Sequence, residues 1–112
     1  MKVNNAHGDI SIGKCIFTKN EAVYGGAIAN MYVVRLNGCD FDSNTSKLGG
    51  AIYNINPKIS TYVGVADCSF TSNNADDKGG AIITPGDLEA KNSIFKHNSS
   101  KKGGAIYNSH EW

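Results

Sequence analysis

One phrase recurs four times along this chain, and the interval between its copies leaves few folds open. Cys15-Ile16-Phe17-Thr18-Lys19-Asn20 leads to Gly25-Gly26-Ala27-Ile28. Cys39-Asp40-Phe41-Asp42-Ser43-Asn44 leads to Gly49-Gly50-Ala51-Ile52. Cys68-Ser69-Phe70-Thr71-Ser72-Asn73 leads to Gly79-Gly80-Ala81-Ile82, and Ser93-Ile94-Phe95-Lys96-His97-Asn98 leads to Gly103-Gly104-Ala105-Ile106. The glycine pairs lie 24, 30 and 24 residues apart. Periods of this size mark stacked repeats, in which each unit buries its apolar side only against its neighbours. A residue present in every unit is read first as framework, not as chemistry.

Aligning the repeats exposes columns. Ile10, Val34, Val63 and Leu88 coincide, and two residues later so do Ile12, Leu36, Val65 and Ala90. Between them stand Ser11, Arg35, Gly64 and Glu89. Alternation of period two is the pattern of a half-buried strand. A second strand places the Cys/Ser and Phe columns inward and Ile16, Asp40, Ser69 and Ile94 outward. A third, after the glycines, places Ile28, Ile52, Ile82 and Ile106 inward and Ala29, Tyr53, Ile83 and Tyr107 outward.

No long stretch carries a helical period, so crossover helices for a βαβ sheet are lacking. Antiparallel hairpins would set unlike columns opposite each other, whereas here like columns recur once per unit. The expected fold is all-β: a parallel β-helix of about four coils, each of three short strands pairing with their counterparts one coil on. The repeats run approximately over 10–30, 34–54, 63–84 and 88–108 of a single domain, 1–112. Phe17, Phe41, Phe70 and Phe95 then stack in one file, the four isoleucines in another, and Cys15, Cys39 and Cys68 in a third, rising about 4.8 Å per coil.

Corner chemistry follows. Asn20, Asn44, Asn73 and Asn98 stand three residues after each Phe, where the chain must bend. An Asn tolerates left-handed backbone, and stacked amides bond to one another as a ladder. Asn30, Asn54 and Asn108, with Thr84 in the same slot, suggest a second ladder. The Asn44-Thr45-Ser46 and Asn98-Ser99-Ser100 sequons fall on inward residues, which argues against glycosylation. Each Gly-Gly pair reads as a turn needing positive φ and close backbone approach. The cysteine spacings of 24 and 29 residues are unlike zinc pairs, and parallel Cβ vectors suit a disulfide poorly.

In a solenoid, what does not repeat locates function. The segment 74–78 is one residue longer than its equivalents, and 55–61 carries about five extra residues, including Pro57. Asn56, Pro57, Lys58 and Tyr62 are the candidate contact loop. Asp76 and Asp77 fall far short of a calcium cage. His7, His97 and His110 occupy unrelated slots, and no carboxylate dyad is marked. With 11 basic and 10 acidic residues, a formal net charge of +1 excludes electrostatic capture of nucleic acid or anionic membrane. No apolar run suits membrane insertion, and no catalytic constellation, cofactor motif or metal set is visible.

The Phe-x-x-Asn element paired with Gly-Gly-Ala-Ile resembles the repeats of chlamydial polymorphic outer-membrane proteins. It is similar also to the β-helix repeats of large adhesin-like surface proteins of bacteria and methanogenic archaea. The resemblance covers Ile10 to Asn108. It implies a right-handed β-helix at the cell surface or outside the cell, serving as an adhesion surface or structural stalk. The partners it implies are a glycan or a protein on another cell surface, and it brings no catalytic residue. The alternative is a fragment of a carbohydrate-active β-helix enzyme, of lyase or hydrolase type. Members of these families are usually longer, with an export signal and an anchor, and neither is legible here. No polar capping repeat is visible, so a fragment of a longer array is expected. The uncapped coils are expected to self-associate through open strand edges or to be only marginally stable. Replacing Phe41 with Ala should cost roughly 3–5 kcal/mol in urea unfolding if the Phe file is buried. A near-zero loss would sink the column assignment.

Overall fold

A computed structural model describes residues 9–56 and 61–108. Fourteen strands occur among them, and no helix. In chain order they are β1 (Asp9–Gly13), β2 (Ile16–Thr18), β3 (Ile28–Asn30), β4 (Val33–Asn37), β5 (Asp40–Asp42), β6 (Thr45–Leu48) and β7 (Ile52–Asn54). There follow β8 (Tyr62–Ala66), β9 (Ser69–Thr71), β10 (Asn74–Lys78), β11 (Ile82–Ile83), β12 (Asp87–Lys91), β13 (Ile94–Lys96) and β14 (Ile106–Tyr107). Every pairing is parallel and joins a strand to its counterpart one coil away. The first sheet is β1-β4-β8-β12, the second β2-β5-β9-β13, and the fourth β3-β7-β11-β14. The chain is thus a parallel β-solenoid of about four turns.

A third sheet was not legible from the repeats. β6 pairs with β10, so the two middle coils carry a fourth strand beyond the three expected. Single bridges, Glu21 to Thr45, Tyr24 to Leu48, Asn74 to Ser99 and Lys78 to Lys102, carry the same ladder through the outer coils. The extra residue of 74–78 is absorbed here as an irregularity between Ala75 and Lys78, so it lies in a strand, not a loop.

Registers match the aligned columns. Ile10 faces Val34, Val34 faces Val63 and Val63 faces Leu88. Phe17 faces Phe41, Phe41 faces Phe70 and Phe70 faces Phe95. Ile28, Ile52, Ile82 and Ile106 form the matching file on the fourth sheet. These files meet in one core, where Phe41, Phe70, Ile52, Ile82, Val34 and Val63 are wholly buried. Phe17 and Phe95, in the outer coils, are only half-buried.

Left-handed backbone makes the corners, though not at Asn20, Asn44, Asn73 or Asn98. Lys19, Ser43, Ser72 and His97, each one residue before the Asn, take φ of 55°, 58°, 56° and 58°. Lys14, Gly38, Asp67 and Asn92, each one residue before the Cys/Ser column, take φ of 51°, 67°, 52° and 50°. Each non-glycine at such a φ costs about 1–2 kcal/mol, so the flanking bonds must hold it there. The glycine pair divides its work. Gly25, Gly49, Gly79 and Gly103 have φ between 60° and 66° and make the third such corner. Their followers need glycine for space. A Cβ at Gly26, Gly50 or Gly80 would collide with the carbonyl oxygen of Gly50, Gly80 or Gly104, one coil on.

Gly104 differs: the nearest atom to a Cβ there is the Asn98 carbonyl oxygen, at 3.9 Å. Gly50→Ala should therefore lower the unfolding free energy by more than about 3 kcal/mol, while Gly104→Ala should change it by less than about 1 kcal/mol. Equal losses at the two positions in urea titrations would show that coil-to-coil approach is not what demands glycine.

Candidate functional site

The recurring residues are all engaged in holding coil to coil. The amide of Asn44 illustrates the corner. Its Oδ1 accepts from the backbone N–H of Asn20 at 3.1 Å and from Asn20 Nδ2 at 3.0 Å. Its Nδ2 donates to Asn73 Oδ1 at 2.9 Å and to the Phe17 carbonyl at 3.0 Å. Asn73 repeats the set: its Oδ1 receives from Asn44 N–H, and its Nδ2 donates to Asn98 Oδ1 and the Phe41 carbonyl. Both side chains are fully buried, and every hydrogen-bonding group is used. Of the two sequon asparagines, Asn44 is fully buried and Asn98 partly so.

Beside the ladder, the phenyl rings stack nearly flat. Centroids are 4.8, 4.7 and 4.7 Å apart from Phe17 to Phe95, with interplanar angles of 9°, 1° and 1°. Such pairs add about 0.5–1.5 kcal/mol each to the burial of the rings. The Cys/Ser column has its own logic. Cys15, Cys39, Cys68 and Ser93 each donate to the carbonyl two residues back, of Gly13, Asn37, Ala66 and Lys91. A small donor closing a left-handed corner is what the slot requires, so Ser93 substitutes for a thiol. The three cysteines are free. Burial pushes the Cys68 thiol above its ordinary value, with the backbone N–H of Cys39 pulling weakly the other way.

Asn30, Asn54 and Asn108 do not form a second ladder. Their amides bridge the corner to the first sheet instead, Asn30 to the Val33 carbonyl, Asn54 to those of Tyr32 and Tyr62, and Asn108 to that of Gly86. Thr84, in the same slot, pairs with Thr61 at 3.0 Å.

The candidate contact loop divides. Asn56 is buried and donates to the Met31 carbonyl at 3.0 Å, so it serves the corner. Pro57 and Lys58 lie outside the described residues. Tyr62 starts β8 and stands on the outer face of the first sheet, where a shallow groove of about 470 Å³ runs across the strands. Its lining includes Ser11, Arg35, Tyr62, Gly64, Glu89 and Lys91. Ser11, Arg35, Gly64 and Glu89 form one outward column across β1, β4, β8 and β12. Gly64 interrupts it, and the ring of Tyr62 fills the gap: a Cβ at Gly64 would lie 2.6 Å from the Tyr62 hydroxyl oxygen. The Arg35 guanidinium sits 5.5 Å from the ring centroid, a cation–π contact. Glu89 and Lys91 meet only loosely, at 4.0 Å and well exposed. Arg35 and Glu89 belong to a column already visible in the sequence. What sequence could not supply was the fall of the Tyr62 ring across the Gly64 gap.

The fourth sheet presents a second outer face. Tyr24 and Tyr53 lie 5.0 Å apart, tilted by 42°, and Lys78 Nζ lies 5.3 Å from the Tyr107 centroid. Ile83, expected outward, is wholly buried. Its neighbours in the ladder are Tyr53 and Tyr107, and the bare backbones of Gly49 and Gly79 press against it. Burial, and secondarily the nearby Tyr24, raises the Tyr53 phenol above its ordinary value. Among the described residues, no three His, Cys, Asp or Glu side chains gather as a metal-holding group.

Four segments of the chain, 14–31, 38–55, 67–85 and 92–109, match the model of the Chlamydia polymorphic membrane protein repeat. No curated protein and no solved structure matches. Each matched segment spans a Cys/Ser–Phe–Asn corner and its glycine pair, the residues assigned above to core and corners. Replacing Asn73 by Ala should cost about 3–6 kcal/mol in urea unfolding, since it strands two or three buried polar groups. A loss below about 1 kcal/mol would remove the amide row from the account of stability.

Proposed function

Because this chain belongs to the Chlamydia polymorphic membrane protein repeat family, we propose that it is a non-enzymatic cell-surface module, a stiff β-solenoid whose outer faces make adhesive contacts. The observation that carries this reading is a division of labour. Residues that recur from coil to coil are consumed by the core, the amide row and the corners. Residues that differ from coil to coil collect on the outer faces of the sheets: Ser11, Arg35, Gly64 and Glu89 on the first, and Ile16, Asp40, Ser69 and Ile94 on the second.

A constant frame with freely varied faces suits recognition better than catalysis, which needs several groups converging in a pocket. Exposed apolar side chains support contact as well: Ile16 is 73% and Ile94 60% exposed on one face. A glycan or a protein on an opposing cell is the partner this reading requires.

Beads coupled to the purified chain are expected to adhere to a panel of epithelial monolayers several-fold above albumin-coated beads. Adhesion no greater than the albumin control on every surface would sink the reading.

A further inference from the structure

The groove on the first sheet combines groups that a single charged ligand could not satisfy together. Arg35 offers only donors, Glu89 only acceptors, and Ser11 and Tyr62 offer hydroxyls that do both. An anionic ligand would meet the Glu89 carboxylate, and a cationic one would meet Arg35 and Lys91. A like charge set against a site costs affinity. Sugar hydroxyls donate and accept at once, so a polyhydroxyl ligand can serve the guanidinium and the carboxylate together. The floor fits the same ligand. Gly13 and Ala66 leave it low, and the Tyr62 ring supplies an apolar surface for the C–H face of a pyranose.

We infer that this groove is a binding site for a neutral glycan segment, laid across the strands of the first sheet, with Arg35, Tyr62 and Glu89 as its principal contacts. The inference rests on the adhesion reading above and names its ligand. An extended peptide is the poorer fit. Peptide capture by strand addition needs a free backbone edge, whereas this face presents side chains over strands already paired along the sheet.

Gly64 is the residue that shapes the site without touching the ligand. It is the one member of its column with no side chain, and only that lets the Tyr62 ring lie down. Its φ is not in the left-handed region, and the atoms a Cβ would meet are the mobile tip of Tyr62. Gly64→Ala therefore lifts the ring while keeping every polar group and the fold.

The experiment is a printed array of neutral, sialylated and sulfated oligosaccharides, probed with the labelled chain and run beside the bead assay. Binding is expected on neutral structures. Arg35→Ala and Glu89→Gln should each weaken it at least about tenfold, as loss of a hydrogen bond to a charged group does. Gly64→Ala should weaken it comparably. Lys96→Ala, on the second sheet, should leave it unchanged, and all four variants should melt with the parent. Binding confined to sialylated or sulfated glycans overturns the assignment, and so does equal binding by the three groove variants. A blank array with beads still adhering overturns the glycan ligand and leaves the adhesion reading standing, with protease-sensitive adhesion then assigning the partner to protein. A bound array with no bead adhesion keeps the groove and removes the adhesive role. Silence in both assays removes both.

Discussion

A buried primary amide has four hydrogen-bonding valences, and in this molecule its neighbours one coil away are what fill them. Asn44 and Asn73 receive two bonds from the coil before, send one to the coil after, and return one to the carbonyl of the preceding Phe. A slip of one residue would leave all of these groups unpaired in a dry interior and turn the core side chains to the outside. Register is thereby set at the corner, and the flanking three-residue strands inherit it. The flat stacking of the Phe rings, with like on like, is the apolar expression of the same register.

Left-handed corners follow from how tightly each coil is drawn. Three-residue strands such as β5 and β9 leave no room for a long turn, so the chain reverses direction at single residues with positive φ. Among the described residues, seven of these are not glycine. Their strain is tolerated because the next side chain closes the corner, an Asn amide in one column and a Cys or Ser donor in the other. At the glycine pair the constraint is spatial as well, since the carbonyl of the next coil occupies the place a Cβ would take.

Much of this was written in the repeats. Aligning Phe17 with Phe41, Phe70 and Phe95 already aligned every strand of the first, second and fourth sheets, because stacked coils make sequence register and spatial register the same thing. The third sheet was hidden because 45–48 and 74–78 share neither length nor a clear alternation. Backbone handedness was hidden because Lys19, Ser43, Ser72 and His97 have nothing in common as side chains. Asn30 and Asn54 look in sequence like Asn20 and Asn44, yet they face carbonyls at the next corner instead of another amide. Ile83 looked outward by parity and is buried by the glycines beside it. On the candidate site, the sequence groups Tyr62 with the excursion, while the structure makes it a member of the first sheet. Its meaning depends on Gly64, two residues on, and on Arg35, twenty-seven residues back.

The amide row also has a direction. The Oδ1 of Asn44, Asn73 and Asn98 accepts from the coil before, and the Nδ2 of Asn20, Asn44 and Asn73 donates onward to the coil after, so the bonded carboxamides point the same way along the axis. Lengthening the solenoid by a coil would add one more dipole to the series without disturbing those in place. Two coils could not meet face to face in mirror fashion, since acceptors would confront acceptors. The amide row therefore gives the solenoid a polarity along its axis, written by a single residue type repeated at one corner.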